Sequence, residues 1–294
     1  MTQALLNGLI QGSLFAVVGV AFSIVFATTR TFYIALGAIY TVSPYVLLAA
    51  IRLQVPWALG VFLALSVAVI LSIVCEESIH WILERKRAPA AVHLIASLGA
   101  SLVIVQIAVL IWGNDAQVLR AGVDYAYEFV GGVRITRGQL IGLASSLLTL
   151  SAVFMWLRRA GTGLELRGLA SNHALLSVLG SDVRGLRRIV FALSGALAAL
   201  AAISTAVDAG FDPHVGMRAV LVGAAATIVG GRSSFAGAAI AGLLFGILRA
   251  QVVWYASARW EDVVTFSLLA VCLFLMPNGL GGVFSDRARL EEQP

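Results

Sequence analysis

Charge is what this chain of 294 residues has least of: Asp, Glu, Lys and Arg make up 12% of it. A soluble domain carries about twice that share, so a water-soluble globule is excluded. Lysine is nearly missing, with Lys86 alone. A GxxxxGK[ST] loop therefore does not occur, and ATP has no such phosphate cradle in this chain. The formal net charge of +5 comes from dispersed arginines. These read as orientation signals in loops, not as a nucleic-acid footprint. Cysteine is limited to Cys75 and Cys272, each inside an apolar run. That excludes a disulfide framework or a metal site, and both read as small packing residues. The histidines, His80, His93, His173 and His214, fall at run ends or in loops. An intramembrane enzyme would need a nucleophile and base, or a metal cluster, within the apolar runs. The N-terminus lacks a positive n-region and a small-residue cleavage site, so the first apolar run is expected to be a retained span.

What is there is apolar. Hydrophobic residues make up 60% of the chain and the mean hydropathy is +0.95. Runs near bilayer length recur: Leu5–Ala27, Phe32–Ile51, Trp57–Leu83, Val92–Trp112, Gln139–Leu157, Ile189–Val207 and Val263–Leu275. Met217–Val229 and Phe235–Leu248 are each short for a span and flank the Gly230–Ser234 break. Such a pair reads as a broken or re-entrant helix, whose freed backbone groups must face protein or a wet cavity. The expected fold is an all-α polytopic membrane protein, a single domain over residues 1–294 with about eight transmembrane segments. Residues 114–138 form the longest polar connection, read as a hairpin on the outer face. The small residues Gly8, Gly12, Ser13, Ala16 and Gly19 suit close helix packing.

Two polar stretches stand out. Residues 161–188 carry Glu165, Arg167, Asn172, His173, Asp182, Arg184, Arg187 and Arg188 just before the sixth span. Leu175, Leu176 and Leu179 share a helical face and Gly180 supplies a stop, which predicts a short amphipathic helix at the membrane surface. It reads either as a receiver of force from a soluble partner or as an ordinary covering helix. The end of the third span carries Glu76, Glu77, His80 and Glu84 ahead of Arg85, Lys86 and Arg87. Glu77, His80 and Glu84 are expected on one face. The readings are a proton or metal site, or charges snorkelling at the interface. The ERKR cluster marks this side as cytoplasmic, and most of the twenty basic residues then fall inside. With the N-terminus outside, the C-terminal tail is inside only if residues 217–248 turn back.

The chain resembles the inner-membrane permeases of the branched-chain amino acid ABC transporters, the hydrophobic amino acid, amide and urea uptake family. The likeness rests on GLIQGSLFAVVGVAFSIVF near the N-terminus, LIASLGASLVIVQ at Leu94–Gln106, the Arg167–Ala202 stretch, FDPHVG at Phe211–Gly216, VGGRSSFAGAAIAGLLFGILRA at Val229–Ala250, and MPNGLGG at Met276–Gly282. The resemblance implies a multi-pass inner-membrane subunit that does no chemistry and has no cofactor of its own. Its implied partners are a second homologous permease, two cytoplasmic ATPases that bind the ATP, and a periplasmic solute-binding protein, all in a lipid bilayer. Arg167, Ala170, Leu175, Leu179 and Gly180 are the candidate coupling residues. Tyr33, Leu36, Gly37, Gly230, Gly231 and Ser234 are the candidate solute pathway. The chain departs from the family's Asn-Phe-Ala-His-Gly stretch, having Tyr33, Ile34, Ala35, Leu36 and Gly37, then Ala38 where an acidic residue is usual. The coupling loop's usual acidic pair is Ser171 and Asn172. A pathway stripped of hydrogen-bonding groups favours apolar solutes or acts as a passive wall. A stand-alone secondary carrier or channel is the alternative, and it would need ionisable groups at mid-membrane, which are few here.

Overall fold

A computed structural model describes residues 2–119, 126–129, 133–171, 181–231 and 234–275. Among the described residues ten helices follow one another. They are α1 (Thr2–Thr29), α2 (Ala35–Arg52), α3 (Trp57–Arg85), α4 (Ala90–Trp112), α5 (Arg137–Arg159), α6 (Gly161–Ser171), α7 (Val183–Ala209), α8 (Val215–Gly230), α9 (Phe235–Tyr255) and α10 (Glu261–Leu275). Between α4 and α5, strands β1 (Ala126–Phe129) and β2 (Val133–Thr136) pair antiparallel, as the polar connection predicted. Seven of the helices are long and apolar enough to cross a membrane. The shorter α8 has 16 residues.

α1 is the axis of the bundle. It has no acidic residue in its first turn and no basic one in its last, and its small residues let neighbours come in to backbone distance. A Cβ built on Gly12 would lie 2.7 Å from the Leu243 carbonyl, and one on Gly8 2.8 Å from the Ile247 Cα. Gly19 faces Ala238. Rising numbers on α1 meet falling numbers on α9, so the two helices run antiparallel along most of their length. α2, α7 and α8 close the rest of the core, with Val190, Phe191, Ala198 and Ala202 of α7 buried against α1 and α2. By contrast α3, α4 and α5 form an outer layer. Phe62 and Ile70 on α3, Leu102 and Leu110 on α4, and Leu148 on α5 are exposed, as lipid-facing side chains are.

Two faces follow from the contacts. One carries the start of α1, the β-hairpin, the loop after α7 and the end of α9: Gln3 bonds Arg134, Thr136 bonds Asp208, and Gln117 pairs with Phe211. The other carries the end of α1, the end of α3, α6 and the start of α7: Arg30 donates to the Ala170 carbonyl and Arg184 to Glu77. The basic-rich second face is the cytoplasmic one.

Helices α8 and α9 fold back on each other. Gly230 and Gly237 pack backbone to backbone, and Val222, Ala225, Ala241 and Phe245 share a cluster. Ser234 caps α9 by accepting from the Gly237 amide. This is the turning-back arrangement, with both ends of residues 215–255 at the outer face. Expected boundaries move in two places. α9 does not end at Leu248 but runs to Tyr255, about 31 Å at 1.5 Å per residue. α7 begins at Val183, ahead of Ile189. Charge misplaces both ends, because Arg249, Arg184, Arg187 and Arg188 all find carboxylates and so stay within helices.

Candidate functional site

A cavity of about 410 Å³ opens on the outer face. Its walls come from α1, α8 and the loop between α7 and α8, with Arg249 of α9 and Glu261 of α10 at the rim. Ile10, Leu14, Phe15 and Val222 give it apolar sides. The polar groups are arranged around them. Tyr40 donates to Thr205 Oγ1 at 2.8 Å, and Arg218 bonds Asp212 at 2.5 Å. Arg249 holds Glu261 at 2.7 Å and Asp262 at 3.1 Å, with its guanidinium 5.5 Å from the Phe15 ring centre. The size lies in the usual range for small-molecule sites, about 300–1,000 Å³. Both signs of charge at the rim and hydrocarbon below suit a small zwitterion with an apolar side chain. Gln11 also lines the cavity, and sequence reasoning missed it together with Tyr40, Thr205 and Arg249. The available signal was Arg249 followed by the acidic pair Glu261 and Asp262.

The candidate pathway residues lie elsewhere. Tyr33 and Leu36 are fully buried. The Tyr33 hydroxyl shares a 3.1 Å hydrogen bond with Ser72, and its ring meets Phe191 edge-on at 4.7 Å. Ser72 in turn donates to the Phe191 carbonyl at 2.7 Å. Leu36 belongs to the same core cluster. Gly37 is a contact glycine: a Cβ on Gly216 would collide with its carbonyl, so α2 and α8 touch through bare backbone. Gly230 plays the same part against Gly237, while Gly231 takes a positive φ of 102° to close α8. In this conformation the structure brings none of these to the outer cavity.

The coupling residues divide. Arg167 projects from α6 into solvent, next to exposed Leu164 and Glu165, while Leu166, Leu169 and Ala170 are buried. α6 is thus an amphipathic surface helix ahead of the leucine-spaced segment. Leu175, Leu179 and Gly180 lie outside the described residues.

The acidic end of α3 does not gather its side chains as expected. Residues 76–80 form a π-helical turn, which changes the rotation per residue and separates Glu77 from His80. Glu77 turns to Arg184 and Arg188. His80 turns inward, its Nδ1 3.2 Å from that of His93, with the two rings stacked. Glu76, which had no partner in the sequence reading, forms a buried ion pair with Arg187 at 2.5 Å. Among the described residues no three metal-ligating side chains come together.

Residues 4–273 match the family described as branched-chain amino acid transport system, permease component. The chain belongs to this permease family. It is 26% identical over 293 residues to the high-affinity branched-chain amino acid transport system permease protein BraD of Pseudomonas aeruginosa, covering 95% of each chain. It is 25% identical over 294 residues to the corresponding LivH of Escherichia coli K12, again covering 95% of each. Among solved structures, PsaBC from Streptococcus pneumoniae in complex with Fab shares the fold with a TM-score of 0.51. The match covers 92% of this chain and 91% of that one, at 13% identity. The permease is a multi-pass protein of the inner membrane, and its family is one of transport components, not an enzyme class.

Proposed function

We propose that this permease is the membrane-spanning subunit of an ABC importer that moves a branched-chain or similarly apolar amino acid inward. In this reading a periplasmic binding protein docks on the outer face and releases solute into the cavity. One of two cytoplasmic ATPases docks against α6 and the segment that follows it. A second, related permease completes the pathway, and ATP-driven closure of the ATPases switches access from one face to the other. The observation that carries the reading is the outward cavity, with its charged rim and apolar sides, at the face opposite α6. The buried Tyr33 and Leu36 support a division in which the partner permease supplies more of the polar selectivity.

The test is uptake of labelled leucine into proteoliposomes holding the permease, its partner subunits and the binding protein. Uptake is expected to require ATP and both ATPases. Uptake that persists when the ATPases are left out would overturn the reading in favour of a stand-alone carrier.

A further inference from the structure

The ends of α3 and α7 are tied by charge at the cytoplasmic side. Arg187 is 2% exposed and Glu76 1% exposed. The Arg187 Nε donates to Glu76 Oε1 at 2.5 Å, and its Nη1 lies 3.4 Å from Glu84 Oε2. Glu77 accepts from both Arg184 and Arg188. Trp81 lies beneath the guanidinium groups of Arg184 and Arg187. Three arginines on the first turns of α7 thus grip one π-helical turn of α3 and the turn after it. The grip continues inward by contact. Ser72 of α3 bonds the Phe191 carbonyl of α7, and Tyr33, just ahead of α2, bonds Ser72 and packs on Phe191 and His80. The segment before α7 is the one to which the coupling residues belong.

A buried ion pair is a poor means of adding stability, since well-packed apolar residues of similar volume do as well or better. It does fix relative position: a guanidinium bridging two carboxylates does not let one helix slide or rotate on the other as hydrocarbon does. We propose that Arg187 and Glu76 form a transmission joint. It makes α3, and through Tyr33 the start of α2, move with α7 when the coupling segment is displaced. This rests on the reading that ATPases drive the permease from residues 161–188. Arg187 and Glu76 are positioning residues and do not meet the solute.

The test uses the full importer in proteoliposomes and reads the amount of leucine moved per ATP hydrolysed. The double variant E76L/R187L removes the buried pair together and costs Glu84 its ion pair only where that carboxylate is already exposed. It is expected to assemble and to hydrolyse ATP while that ratio falls about tenfold. Glu76→Asp keeps the charges but withdraws the carboxylate by one methylene, and should give an intermediate ratio. A double variant that moves leucine at the wild-type ratio would overturn the joint. So would a double variant that fails to assemble, which would assign the pair to folding alone. The wild-type complex is the separate control: if it takes up no leucine on ATP addition, the importer reading itself fails.

Discussion

Arg249 shows how a single side chain serves structure and site together. It sits on α9 at the cavity rim, fixed by Glu261 and Asp262 and stacked on Phe15. Arg249→Ala is expected to raise the leucine concentration for half-maximal uptake by about tenfold, equivalent to ~1.4 kcal/mol of binding. Titrating uptake against solute at fixed ATP checks this. Tyr33→Asn should act differently, because the ring fills space between α2, α3 and α7 and does not line the outer cavity. Its expected cost is about 3 kcal/mol of stability, read as a lower unfolding temperature in detergent, with solute preference unchanged in the protein that folds. Residue identity alone does not separate these cases. An arginine in an apolar run reads as a boundary, and only the position of its carboxylate partners reveals that the helix continues. A tyrosine in place of a polar pathway residue reads as a change of selectivity, until the fold encloses it.

At the scale of elements, the apolar runs were legible because a bilayer demands length and hydropathy of any helix that crosses it. Their partners were not, because small residues announce close approach without naming what approaches. Gly12 and Gly246 turn out to face each other across α1 and α9. Gly246→Leu is expected to force those backbones apart at a cost of about 1–3 kcal/mol or more, seen as loss of folded protein from the membrane. The start of α5 is more local. Thr136 and Gln139 form a reciprocal cap, visible in sequence as Thr and Gln three residues apart. Thr136→Ala should cost about 1 kcal/mol and also remove the bond to Asp208 that ties the hairpin to the end of α7. Thermal unfolding of the purified protein measures that loss. α6 owes its buried face to Leu166, Leu169 and Ala170, which follow the three- and four-residue spacing of a helix face, while the helix expected over Leu175, Leu176 and Leu179 lies outside the described residues.

For the molecule as a whole, the folded-back pair α8 and α9 decides sidedness. Asp115 and Ser257 belong to the outer face, and Lys86 and Glu165 to the cytoplasmic one. Single cysteines placed at these four positions, in a background without Cys75 and Cys272, should react accordingly with an impermeant maleimide on intact cells: the first two labelled, the last two only after lysis. Sequence alone left this open, because two half-length runs around a glycine break suit one crossing as well as a turn.

The glycine seam between α1 and α9 also bears on how the protein is made. α1 leaves the ribosome well before α9, the helix that covers most of it. The translocon must therefore release α1 into lipid with its bare-backbone stripe uncovered, which its lack of charge permits. A nascent chain cut short before Phe235 would keep that stripe open to any passing helix, and a membrane protease would have a reason to find it.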